Sequence, residues 1–213
     1  MRRQQSGFTL VEIAIVLVII GLLLGGVLKG QELITQAKIK NVTNDFNGLI
    51  AAVYSYQDRY KRMPGDDPGA TRWALIAAVP ATAGDNKVDG LYESSTNTDE
   101  SRLFWADLRL AGFISGAVDT LANAASQPLN AAGGIIGAQN GGLGLSGLII
   151  CSGSLPAKIA QAIDNQFDDG NAKTGSVRGL KEGATPPTAL TAVAPTTDYD
   201  DDGTSLYVIC KNI

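Results

Sequence analysis

The chain contains no histidine. That absence excludes Ser-His-Asp triads, Cys-His nucleophile pairs and every histidine-bearing metal site. Carboxylates and lysines remain for catalysis. Asp164 and Asp169 could be named as a carboxylate pair, but nothing in the sequence orients them, and Asp-Gly-Asn is ordinary turn chemistry. No constellation supports an enzyme. Cysteine is nearly absent as well: Cys151 and Cys210 lie too far apart for a metal knuckle. In an exported domain they pair as a disulfide; in a reducing compartment they stay as two buried thiols. The formal net charge is −4, without the basic excess that marks phosphate binding, which argues against nucleic acid as a partner.

Apolar residues are concentrated near the N-terminus. From Phe8 to Leu28 the only charged residue is Glu12. As a helix that stretch spans about 31 Å, close to the roughly 30 Å hydrocarbon core of a bilayer. Arg2 and Arg3 precede it, so the positive-inside rule keeps the N-terminus cytoplasmic and exports the rest. The run is longer than the apolar region of a secretory signal, and no Ala-x-Ala-like site follows it. A plain membrane anchor leaves Glu12 unexplained, because a carboxylate in lipid is costly and usually functional. Its nearest positive partner would be an α-amino group created at Phe8 by cleavage after Gly7.

The segment Gly7-Phe8-Thr9-Leu10-Val11-Glu12, with a short basic leader before it and an apolar helix after it, resembles the type IV pilin and pseudopilin family. The resemblance implies that prepilin peptidase cuts after Gly7 and N-methylates Phe8, and that Glu12 guides subunit docking. It further implies a leader over 1–7, a transmembrane and assembly helix over 8–28, an amphipathic continuation over 29–63 and a globular head over 64–213. The expected partners are prepilin peptidase, an inner-membrane assembly platform, membrane lipid before assembly and other copies of the chain in a homo-oligomeric filament. The expected location is the inner membrane, single-pass, then an extracellular or periplasmic filament. Many members carry a Pro where this chain has Lys29. Gly21, Gly25, Gly26 and Gly30 lie around that point, either to ease local unwinding or to let helices approach closely.

Past the apolar run, Val42, Phe46, Leu49, Ile50, Val53 and Tyr60 recur at helical steps, and Pro64-Gly65 stops the helix by Met63. Tyr54, Tyr56 and Tyr60 are expected to pack on the head. Further helices are predicted at 66–79, 97–111 and 154–167, the second opened by an Asn97/Glu100 capping pattern. Strands are predicted at 145–151, 175–180 and 205–212, the last apolar on both faces and so central or covered. Segments 121–147 and 183–197 read as surface loops. Pro64-Gly65-Asp66 and Asp168-Asp169-Gly170-Asn171 are similar, less specifically, to patterns in bacterial pilin-like proteins.

Asp198-Tyr199-Asp200-Asp201-Asp202-Gly203 matches the first half of a calcium loop, with Asp198, Asp200 and Asp202 as ligands. The second half fails, since Ile209 stands where a bidentate Glu is needed; further ligands would have to come from Asp164, Asp168 or Asp169. The competing reading is a solvated acidic turn. Asp85 to Gly90 is a weaker version, spoiled by Lys87. No cofactor is required, and calcium is the one the donors would suit. The fold expected is α+β: a long N-terminal helix, transmembrane then amphipathic, packed on a small antiparallel sheet. The function expected is a structural subunit of a type IV pilus-like filament; the alternatives are a type II secretion pseudopilin or a minor tip subunit or adhesin.

Overall fold

The computed structural model describes residues 9–213. The leader, with Gly7 and Phe8, lies outside them. Helix α1 runs from Leu10 to Tyr60 without interruption. By contacts the chain divides into two units, one ending at Ala37 and one covering Lys38–Ile213. Leu10 to Lys29 are all exposed, around the whole circumference of the helix. By length and composition this helix can cross a membrane.

Within the second unit α1 buries a single stripe: Val42, Phe46, Leu49, Val53 and Tyr56. The alternating steps of four and three keep these side chains on one face. Thr43 donates to Gln166 at 2.7 Å, tying this face to a later helix. Tyr56 is fully buried, Tyr54 is 55% exposed, and Tyr60 is half-buried against Trp73. Of the three tyrosines expected to pack on the head, Tyr54 therefore does not.

The other elements are α2 (Glu100–Leu110), α3 (Leu121–Ala124), β1 (Ile136–Gly142), β2 (Leu145–Pro156), α4 (Ala157–Phe167), β3 (Val177–Lys181) and β4 (Leu206–Asn212). The four strands form one antiparallel sheet in the order β1-β2-β4-β3. Alternation puts Ile150 and Ile209 on the face that meets α1, α2 and α4. Ile149, Cys151, Val208 and Cys210 face the other way, where Tyr92 and the partly buried Leu180 and Leu190 cover them. Both faces of β4 are thus buried from Tyr207 to Cys210, which is why that part of the strand is apolar and central.

Several sequence expectations are corrected. The helix expected over 66–79 is a loop with one short 3-10 turn, Ala70–Arg72. Pro68 and Gly69 oppose a helix there, and the Asp67 carboxylate accepts the Gly69 N–H at 2.8 Å. Helix α2 begins at Glu100, not Asn97. Glu100 does not cap it; its carboxylate accepts the Thr82 hydroxyl at 2.6 Å and the Asp89 N–H at 2.8 Å. Residues 154–156 belong to β2 rather than to α4. Segment 121–147, read as a surface loop, contains α3 and β1, with Ala124 and Ala138 fully buried. Its small residues serve close approach: a Cβ on Gly137 would collide with the Tyr92 carbonyl.

Candidate functional site

The helical start is closed by two residues of the motif itself. Glu12 Oε2 accepts both the N–H and the hydroxyl of Thr9, each at 2.8 Å, and the Glu12 N–H donates to Thr9 Oγ1 at 3.3 Å. Thr9 precedes the first helical residue and Glu12 is three positions on, so the pair is a capping box. The Thr-x-x-Glu spacing of this box is itself a linear signal in the sequence. The cap supplies hydrogen bonds to the carboxylate and places it at the helix N-terminus, where the helix dipole favours negative charge.

The apolar helix beyond it stays regular through Gly21, Gly25, Gly26 and Gly30, and nothing lies within 4 Å of a Cβ placed on any of the four. Lys29, where a Pro is common in the resembling family, pairs with Glu32 at 2.8 Å on the exposed surface.

Cys151 and Cys210 form a disulfide between directly opposed positions of β2 and β4, with Cα atoms 4.0 Å apart. Both are fully buried. The bond pins the final strand at the centre of the sheet.

In the acidic turn, Asp202 accepts the Ser205 hydroxyl at 2.5 Å, the Ser205 N–H at 2.6 Å and the Thr204 N–H at 2.9 Å. These bonds hold its carboxyl well below the usual range. Lys181 lies 3.4 Å from Asp202 and 4.0 Å from Asp200. Asp198 accepts the Tyr199 N–H at 2.8 Å and the Ala172 N–H at 3.1 Å. Asp200 and Asp202 thus share Lys181, while Asp198 is engaged by the Tyr199 and Ala172 N–H groups. Among the described residues, the group of three carboxylates with oxygens all within 4.8 Å of one another is Asp164, Asp168 and Asp169. Asp164 is fully buried, accepting the Tyr199 hydroxyl at 2.8 Å and the Gly170 N–H at 3.2 Å. Burial pushes its carboxyl up, against those two bonds.

Sequence reasoning missed the junction at the end of α1. Gly65 adopts φ +85°, and a Cβ there would run into the Glu100 carbonyl of α2. Asp66 receives the N–H groups of Gly84, Asp85 and Asn86. Asp67 receives the Tyr56 hydroxyl at 2.7 Å and an ion pair from Arg72 at 2.8 Å. The Arg72 guanidinium also lies over the Tyr60 and Trp73 rings at 4.6 and 4.8 Å. The signal was the carboxylate pair directly after Pro-Gly, which is more than a turn needs.

No curated protein and no solved structure matches the chain. Residues 2–28 match the family model for the prokaryotic N-terminal methylation motif, the signature of type IV pilins and pseudopilins.

Proposed function

We propose that the chain is a precursor, cleaved after Gly7 by prepilin peptidase, N-methylated at Phe8, and polymerised as the structural subunit of a type IV pilus-like filament. The observation that carries this reading is the motif over 2–28 running into a continuous helix exposed on every side from Leu10 to Lys29. Leu22, for example, is 73% exposed. Apolar surface on that scale requires a non-aqueous partner. Lipid of the inner membrane supplies it before assembly, and the helices of other copies supply it afterwards. The role is structural: burial of many such helices in a common core holds the filament together. Glu12, capped by Thr9, enters that core as an anion and selects the docked position in which a cation meets it.

The test is the intact mass and N-terminal peptide of the protein from its native membrane and from sheared surface filaments. Methylated Phe8 at the terminus, with the chain present in the filaments, is the expected result. An uncut leader overturns the proposal. A processed chain without surface filaments, accompanied by a secretion defect, points to a pseudopilus instead.

A further inference from the structure

Asp107 lies in the middle of α2 with no exposed surface. Its Oδ2 accepts the Gly65 N–H at 2.7 Å, and its Oδ1 has no partner. Nearby Asp67 is almost as deeply buried but fully provided for: Tyr56, Gly69 and Arg72 all donate to it. The contrast matters because a buried anion is tolerated only when its oxygens are paired. Asp67 meets that condition and Asp107 does not. The charged and titratable groups acting on Asp107 are Tyr56 on α1, and Asp67 and Arg72 on the connector between α1 and α2 (residues 61–99), Arg72 in its 3-10 turn. Burial dominates, the Gly65 N–H opposes it, the Asp67 carboxylate reinforces it, and Arg72 and Tyr56 weaken it. The carboxyl is pushed up to about 7.

We infer that Asp107 is a proton-loaded latch: it is neutral when α1, the connector and α2 are closed on one another, so the junction tightens in acid and loosens as the surroundings turn alkaline. An unfolded aspartate releases its proton near 3.8, whereas the folded one keeps it to about 7. Between those values the folded state holds a proton that the unfolded state lacks, so stability falls as pH rises through this window and is level above it. Glu93, Glu100, Asp164 and Glu182 are raised by burial and slope the same way. Asp67 slopes the opposite way, because Arg72, Tyr56 and Gly69 outweigh its burial. The Asp107 contribution is therefore read as a difference between two proteins.

The experiment is denaturant unfolding of the full-length chain in detergent micelles at about pH 5.5 and about pH 8, for wild type and Asp107→Asn. Asparagine keeps an acceptor for Gly65 and removes the titration. Wild type is expected to gain about thirtyfold more in its folding equilibrium on acidification than the variant does. An equal gain in both overturns the latch. Should the variant fail to fold, the side-chain carboxyl carbon of Asp107 in the wild type decides by NMR titration. A midpoint near neutrality supports the latch, and one in the ordinary aspartate range of about 4 overturns it.

Discussion

Thr9 and Glu12 satisfy each other across the first turn of α1, through three hydrogen bonds of 2.8 to 3.3 Å. The carboxylate therefore has two separable properties, a capping oxygen and a negative charge. Glu12→Gln keeps the oxygen and removes the charge; Glu12→Ala removes both. Both variants are expected to be cleaved after Gly7 and to assemble poorly, as measured by leader removal in mass spectra and by the yield of sheared filaments. Wild-type yield from Glu12→Gln would show that capping alone suffices.

Thr9→Ala isolates the other half of the box. Loss of an N-cap typically costs about 1 kcal/mol of helix stability. The variant is expected to fray at the first turn, seen as faster amide exchange at Val11 to Ile13 in micelles, while the Lys38–Ile213 unit keeps its unfolding midpoint.

Phe46 is 2% exposed on the stripe of α1 and meets Phe167 of α4 edge-on at 5.8 Å. Phe46→Ala removes that contact and opens a cavity at the helix–sheet contact. A loss of about 3–5 kcal/mol in denaturant unfolding is expected. Tyr54→Ala, about two helical turns further on and on the exposed side, is expected to change stability by no more than about 0.5 kcal/mol.

Cys151 and Cys210 close a loop of sequence separation 59. Replacing both by Ala is expected to cost about 2–5 kcal/mol, part of it entropy restored to the unfolded chain. Because both sulfurs are buried, reductant is expected to act on the native protein only as fast as the sheet opens. Reduction in native buffer as rapid as in denaturant would contradict this.

Gly25 and Gly26 have open space around them in the single chain. Alanine there favours helix by about 1 kcal/mol per site. Gly25→Ala with Gly26→Ala is expected to leave membrane insertion unchanged and to reduce filament yield, whether through resisted unwinding or through crowding of neighbouring helices. A filament reconstruction separates the two: regular helix over 21–30 in the wild type rules out unwinding.

The long helix, its apolar first part and the centrality of β4 were legible in the sequence because each depends on local periodicity and on which residues avoid water. The motif around Gly7, Phe8 and Glu12 was legible because it is a linear signal. The tertiary structure decided the rest. Strand β1 arises in a Gly-, Ala- and Asn-rich segment with little intrinsic strand character; β2 supplies its hydrogen bonds, and Gly137 allows Tyr92 to cross it. The helix expected after Pro64-Gly65 is lost because the Asp67 carboxylate takes the Gly69 N–H beside it, while Asp66 reaches on to the N–H groups of Gly84, Asp85 and Asn86. The spacing of Asp198, Asp200 and Asp202 is a linear signal; that Thr204, Ser205 and Lys181 engage two of them and Ala172 the third, and that Asp164, Asp168 and Asp169 come together, is decided by the fold. Asp107 looked like any polar residue of an amphipathic helix. Only the packing of Tyr56, Gly65 and Asp67 around it takes its carboxyl out of water, and that burial, not its identity, sets its chemistry.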